Sequence, residues 1–326
     1  MKIKIYYLPI FFLMIAGLAA CQDEDLKKED TPQDSFTLQI KPAYELGYEI
    51  SGQPASRSIG SNLYCYSWPL GNDSTSRLIS EGFPKPEERI NNGGYYQYEL
   101  PRHDQSLFFS NLLSTTAYEG LEMEFNSTHS DNSHQTAQFI FTADKGYCHT
   151  EIIYGYIGTI TEADAVSHHY FVNDSVKLRR PQAKMQILLR LTDSEGQVIS
   201  DPETYITRMW IETEYRPFFQ KASVSFNYNE QGKNLYQIDE PAYKNQVDFH
   251  QEITMTEMNK VVSNGETLTE IVAPCYVFPT NFSPRFTFTF QMKNGEGKTV
   301  SIYTADSWQA GKEYKLTLDV ALTKLQ

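Results

Sequence analysis

The chemistry written most plainly into this chain lies at Leu18-Ala19-Ala20-Cys21, where small residues run directly into a cysteine. Lys2 and Lys4 come first, followed by an apolar run from Tyr6 to Leu18. A charged start, an apolar middle and a small-residue end make up the layout of an export signal. The run is shorter than the roughly 20 residues that a membrane helix needs. Small residues before a cysteine are what the lipoprotein signal peptidase reads, once a diacylglycerol thioether has formed on the sulfur. The expectation is that residues 1–20 are removed and that the mature chain begins at an acylated Cys21. Each buried CH₂ contributes about 0.8 kcal/mol, so two or three acyl chains hold a protein firmly to a bilayer. An ordinary export signal followed by a chance cysteine is the plainer alternative.

Other reactive groups form no site. His129 and His134 flank a polar stretch with no evident third ligand, and His168 and His169 are adjacent. Neighbouring residues on a strand point to opposite faces and cannot chelate together. There is no nucleophile elbow, zinc-protease motif, phosphate loop or dinucleotide fingerprint. Paired carboxylates leave no local signature, which keeps a lipid-anchored glycosidase open as a third reading. The expectation is no catalytic residue, no metal and no cofactor. Tyr64, Tyr66 and Trp68, and likewise Tyr95, Tyr96 and Tyr98, place alternate aromatic rings on one strand face. Such rows either stack on sugar rings or fill a core, and the core reading is favoured. Beyond Cys21 the cysteines are Cys65, Cys148 and Cys275, an odd number without close spacing. A Cys65–Cys148 bridge and buried free thiols are both open, the thiols favoured.

The elements that must carry these residues are strands. Phe36, Leu38 and Ile40 alternate with polar residues, as do Ala183, Met185, Ile187, Leu189 and Leu191, with Leu188 as the exception. The same period of two marks Ala222–Tyr228, Phe286–Met292 and Tyr314–Val320. Asn294-Gly295-Glu296-Gly297 predicts a hairpin joining Phe286–Lys293 to Lys298–Thr304. Asn92-Gly93-Gly94 precedes a strand over Tyr95–Leu100, and Asp193-Ser194-Glu195-Gly196 closes the strand before it. Helical patterning is scarce, best over Thr254–Ser263 and weaker over Pro86–Ile90.

The chain has 326 residues, with 28 basic and 41 acidic side chains and a formal charge of −13. Removing residues 1–20 takes away two lysines, so 26 basic residues face 41 acidic ones, a charge of −15. No basic patch is available to neutralise phosphates, so nucleic acid is not a partner. Length suits two domains. The expected organisation is a signal peptide over 1–20, an acidic flexible tether over 21–34, an N-terminal sandwich over 35–176 and a C-terminal sandwich over 177–326.

Three segments together resemble the fimbrillin superfamily. Tyr154-Gly155-Tyr156-Ile157-Gly158, followed by Val176-Lys177-Leu178-Arg179-Arg180-Pro181-Gln182-Ala183-Lys184, is similar to the junction between that family's two domains, where a leu-x-arg-x-x-ala-lys strand opens the second. Trp308-Gln309-Ala310-Gly311-Lys312-Glu313-Tyr314 resembles its closing trp-x-ala-gly-x-x-tyr strand. Gln22-Asp23-Glu24-Asp25 resembles the surface-export tether of lipoproteins in the Gram-negative phylum that builds type V pili. The resemblance spans the chain.

It implies an all-β fold of two transthyretin-like antiparallel β-sandwich domains in tandem. It also implies a non-enzymatic lipoprotein of the outer membrane and fimbrium, facing the exterior and held by lipid on Cys21. Its partners would be other fimbrial subunits, joined by strand exchange, with a host surface protein or glycan as a further class. In stalk subunits an arginine-specific protease removes an N-terminal strand. Here Arg57-Ser58, in a small and polar stretch, is the candidate processing site, and Phe36–Ile40 with Tyr48–Ile50 would be the strand removed. An ordinary surface arginine is the other reading. Tyr314, Leu316, Leu318 and Val320 mark the candidate donor strand, a pattern that an ordinary edge strand shares. Arg179 and Arg180 fall at the elbow, either paired with acids or solvated. The alternative function is a glycan-binding outer-membrane lipoprotein of a polysaccharide-uptake system.

Overall fold

Alternating residues become strands throughout the computed structural model of the protein, which describes residues 35–40, 43–44, 63–69, 77–82, 96–114, 116, 118–127, 135–142, 146–160, 170–173, 176–226, 240–256 and 258–324. The first strands are β1 (Ser35–Ile40), β2 (Ala43–Tyr44), β3 (Leu63–Pro69), β4 (Arg77–Gly82), β5 (Tyr96–Pro101), β6 (Gln105–Ser110), β7 (Leu121–Ser127), β8 (Gln135–Phe141), β9 (Tyr154–Ile160), β10 (Tyr170–Asn173) and β11 (Lys177–Leu178). There follow β12 (Ala183–Thr192), β13 (Ile206–Thr213), β14 (Phe218–Phe226), β15 (Ala242–Val247), β16 (His250–Thr254), β17 (Lys260–Ser263), β18 (Glu266–Val277), β19 (Arg285–Met292), β20 (Gly297–Tyr303) and β21 (Glu313–Ala321). Among the described residues the only helical pieces are the 3-10 turns Pro202–Thr204 and Leu322–Lys324. The fold is all-β, and most strand pairs are antiparallel.

The sheets stack around three cores. The sheet β10-β1-β5 covers one face of β4-β3-β6-β9, burying Phe36, Leu38, Tyr98, Leu63, Leu107 and Phe109 between them. The other face of β4-β3-β6-β9 packs on β15-β14-β8-β7 through Tyr66, Trp68, Phe108, Phe139, Tyr154 and Val224. That middle sheet is therefore covered on both sides, and β6 is buried at all six positions. A strand covered on both faces reads as a continuous apolar run, here Leu107-Phe108-Phe109, instead of an alternation. Two of its buried polar side chains pair with each other: Ser67 donates to Gln105 Oε1 at 2.5 Å, and Gln105 Nε2 donates to the Pro101 carbonyl at 2.8 Å. The third core lies between β17-β18-β12-β21 and β16-β13-β19-β20, and its buried residues all fall between Ala183 and Leu322.

The third core thus lies wholly beyond the expected division at 176/177, and the first lies before it except for Leu178. The second spans it: β14 pairs with β8 from Lys221↔Ile140 to Phe226↔Gln135, and Phe278 stacks on Phe141 at 4.2 Å. The two halves are joined through a shared sheet.

The hairpin at Asn294–Gly297 forms as its turn residues require, with Gly295 at φ 86°. The helix expected over Thr254–Ser263 does not form. Met255 is buried in the third core, and Asn264-Gly265, at φ 53° and 82°, fold β17 back on β18 as a two-residue hairpin. Turn chemistry just beyond the segment overrides its weak helical spacing. The Pro86–Ile90 segment lies outside the described residues. Cys65, Cys148 and Cys275 are buried free thiols. Cys65 belongs to the first core and Cys148 to the second, on opposite faces of the middle sheet, so no bridge joins them.

Candidate functional site

β1 is the centre of its three-stranded sheet, antiparallel to β5 from Ser35↔Pro101 to Ile40↔Tyr96 and parallel to β10 from Thr37↔Tyr170 to Ile40↔Asn173. Its alternation sorts it cleanly. Phe36, Leu38 and Ile40 are 1 %, 0 % and 0 % exposed. On the opposite face Thr37 donates to Glu99 Oε1 at 2.6 Å, and Gln39 Nε2 donates to Gln97 Oε1 at 3.2 Å. Tyr98 closes the floor beside it, donating its hydroxyl to the Leu63 carbonyl at 2.8 Å. Taking β1 away would uncover the facing backbone ladders of β5 and β10 above an apolar floor. That is the chemistry of a strand-accepting slot: backbone bonds for affinity, and pockets for alternate side chains for register.

β21 is the counterpart of opposite character. Among the described residues it sits at the edge of its sheet and pairs with β12 alone, parallel and in continuous register from Lys184↔Glu313 to Thr192↔Ala321. Leu318 is 0 % and Val320 2 % exposed, whereas Tyr314 and Leu316 are half-buried against the third core. Lys315, Thr317 and Asp319 face solvent, and charges of this kind blunt an edge against unwanted pairing.

The motifs that stand apart in sequence meet in space where β21 begins. Arg180 is buried at 6 % exposure. Its Nη1 lies 2.9 Å from Glu151 Oε1, its Nη2 donates to the Gly311 carbonyl at 2.9 Å, and its Nε donates to the Gln182 carbonyl at 3.2 Å. The guanidinium lies 5.7 Å from the centre of the Tyr276 ring. Gly311, at φ 76°, donates its N–H to the same Gln182 carbonyl at 2.8 Å. Trp308 stacks on Tyr314 at 4.6 Å, and its N–H reaches Thr280 Oγ1 at 2.7 Å. In the remaining motif, Tyr154 and Arg179 exchange backbone bonds at 3.0 and 2.8 Å. A side chain at Gly155 would come within 2.8 Å of Leu178 Cδ2 and 3.1 Å of the Lys177 carbonyl oxygen, so the chains pack closely there and glycine is favoured. Arg179 takes an acid as well, Nη1 lying 3.4 Å from Glu240 Oε1.

Sequence reasoning found the arginines but not their acceptors. It also missed Gln182, fully buried, which accepts from the Ile152 N–H at 2.7 Å and donates to the Thr150 carbonyl at 3.2 Å.

Cys21, Arg57, Ser58, Tyr48–Ile50, Tyr95, His129, His134, His168 and His169 lie outside the described residues. The aromatic rows are core: Tyr66, Trp68, Tyr96 and Tyr98 are 1–3 % exposed, and Tyr64 packs against the second core. These described rings are turned into the cores and offer no face to a sugar. Burial lifts the Cys65 and Cys275 thiols well above the ordinary range and pushes Cys148 up to about 12, so none is a thiolate near neutrality. Among the described residues no group of three or more His, Cys, Asp or Glu side chains is placed to hold a metal ion.

No protein-family model matches the chain, and no curated protein matches it. Among solved structures, the chain is similar to a candidate adhesin from Bacteroides ovatus, at 8% identity and TM-score 0.44 over 90% of this chain and 89% of the other. A candidate cell adhesion protein from Bacteroides uniformis aligns at 10% identity and TM-score 0.41, over 90% and 96% of the two chains. The fimbrial anchor protein Mfa2 from Porphyromonas gingivalis aligns at 9% identity and TM-score 0.38, over 82% of each.

Proposed function

We propose that this chain is a non-enzymatic, surface-exposed lipoprotein of the outer membrane, acting as a fimbrial subunit, anchor or accessory protein assembled by β-strand addition. The observation that carries this reading is β1. An N-terminal strand with three fully buried side chains and a neighbour on each side is what a strand-exchange module must be able to surrender. The sequence around it supplies the rest. Cys21 lies upstream with its export signal, and Arg57-Ser58 lies downstream in a small, polar stretch, so one cut there would separate β1 from the body of the protein. The meeting of the junction and closing motifs at Arg180 is a further support, because the segments that resemble the fimbrillin superfamily form one packed unit.

The test is intact-mass and N-terminal peptide analysis of the protein recovered from the cell surface. An acylated Cys21 terminus identifies an uncleaved anchor or accessory lipoprotein. A terminus at Ser58, lost in Arg57→Ala, identifies a processed subunit that polymerises. An unacylated terminus near residue 21 with no membrane fractionation overturns the proposal, as does membrane fractionation that survives Cys21→Ala.

A further inference from the structure

The outer face of the β16-β13-β19-β20 sheet carries an arrangement that neither the core nor strand exchange requires. Strand register sets it out in rows: Tyr303 beside Arg285; then Ser301, Thr287, Glu212 and His250; then Thr299, Thr289, Trp210 and Glu252. The chain has three tryptophans. Trp68 and Trp308 are 1 % exposed, whereas Trp210 lies half-buried on the outer face, between the inward Met209 and Ile211. Tyr303 is 68 % exposed yet held, because the Arg285 guanidinium lies 4.7 Å from its ring centre and Glu214 fixes Arg285 at 2.8 Å. Between the two rings runs a hydroxyl ladder, Thr287 to Ser301 at 3.2 Å and Thr289 to Thr299 at 3.4 Å. Rows repeat at about 6.8 Å and strands at about 4.8 Å, which puts the two aromatic positions about 17 Å apart across the face.

We propose that this face binds a neutral glycan chain. Sugar rings present C–H faces that stack on aromatic rings and hydroxyls that trade hydrogen bonds with side-chain hydroxyls and with carboxylate–cation pairs. Both sets of groups are here in one plane, with a held ring at one end and a tryptophan further along. Preorganisation of Tyr303 lowers the ordering cost of binding. The charge pattern selects a neutral ligand. Arg208 lies 3.2 Å from Glu252 and Arg285 2.8 Å from Glu214, so the arginines of the face are already taken by carboxylates, and His250 Nδ1 lies 3.1 Å from Glu212. A chain with formal charge −13 offers an acidic glycan no positive potential in their place. The inference does not rest on strand exchange, since β13, β19 and β20 stay in place whichever strand is donated.

The test is native electrophoresis of the full chain through gels containing mannan, dextran or arabinoxylan, with heparin as the acidic comparator, alongside acrylamide quenching of tryptophan fluorescence. Because the other two tryptophans are buried, the quenchable signal belongs to Trp210. The expected result is retardation in at least one neutral gel, with at least a twofold drop in quenching by the same polysaccharide. Tyr303→Ala weakens binding about tenfold, the loss of one stacking contact of about 1.4 kcal/mol. Trp210→Ala abolishes it. Tyr303→Ala is the decisive variant, because an exposed ring can be removed with the circular-dichroism melting curve unchanged. Unaltered mobility in every neutral gel overturns the proposal, as does retardation by heparin alone or retardation that both variants retain.

Discussion

Replacing Arg180 by methionine keeps most of its volume and removes its charge and donors. The structure sets the size of the loss. The guanidinium makes three principal contacts, to Glu151 Oε1 and to the Gly311 and Gln182 carbonyls. Hydrogen bonds involving a charged group contribute roughly 1.5–3 kcal/mol each, so a simple sum would reach about 5–9 kcal/mol. Two of the three are worth less. The Glu151 side chain is 38 % exposed and regains water when its partner leaves, which reduces that pair to about 1 kcal/mol. The Gln182 carbonyl keeps the Gly311 N–H at 2.8 Å and is not orphaned. The Gly311 carbonyl loses a charged donor in a buried setting, at a cost of about 1–3 kcal/mol. The expected destabilisation is therefore about 3 kcal/mol, measured as a shift in the urea midpoint at unchanged slope. Tryptophan fluorescence reports it, Trp308 being stacked on Tyr314 at the start of β21. A double-mutant cycle with Glu151→Gln should return a coupling of about 1 kcal/mol. A loss below about 1 kcal/mol for Arg180→Met would mean that the motifs meet without Arg180 holding them, and the reasoning would fail.

Gly155→Ala should destabilise by about 1–3 kcal/mol, because the added methyl meets Leu178 Cδ2 at 2.8 Å and the Lys177 carbonyl at 3.1 Å; Gly297→Ala, whose methyl would find its nearest neighbour at 4.0 Å, serves as the comparison in the same urea titration. The three buried thiols should resist a thiol reagent at pH 8 until the chain is unfolded. Their folded pKa values are raised, so the stability they contribute is full below the unfolded thiol value of about 8.5 and falls as pH rises above it, by about 1 kcal/mol per thiol between pH 8.5 and 9.5. Urea midpoints at the two pH values test this, and Cys148→Ala should flatten the slope by one thiol's share. Leu318→Asp places a carboxylate at a fully buried position and should cost at least about 4 kcal/mol, whereas Leu316→Asp, half-buried, should leave circular dichroism native. Should β21 be donated to a neighbour, both variants drop out of fibres while only the first unfolds.

How far the sequence reached depends on what each element had to satisfy. The β19–β20 hairpin was legible because turn chemistry and alternation agree over a dozen residues. β6 was not, because a strand covered on both faces loses the alternation that marks a strand. The tyrosines of β3 and β5 were ambiguous, since a row of rings looks the same facing a sugar or facing a second sheet, and only the third layer decides. The β8–β14 pairing left no local trace, because register between strands far apart in sequence depends on which sheet faces are free to meet. Arg180 could be placed at the elbow, but one of its acceptors lies 131 residues away. The segment Thr254–Ser263 misled because its apolar spacing fits one helical turn as well as a bend between two strands. Trp210 stands between Met209 and Ile211 in sequence, where three apolar residues in a row hide which one faces outward; its meaning comes from the neighbours that register brings beside it.

The parallel register of β12 and β21 has a mechanical side. A pull on the downstream end of β21, resisted at the upstream end of β12, acts along both strands and loads their evenly spaced bonds together in shear. Hairpin partners such as β19 and β20, pulled from their free ends, would open one bond at a time. With nine register pairs sharing the load between β12 and β21, this edge is suited to carrying tension along its length while still being open to peeling from the side.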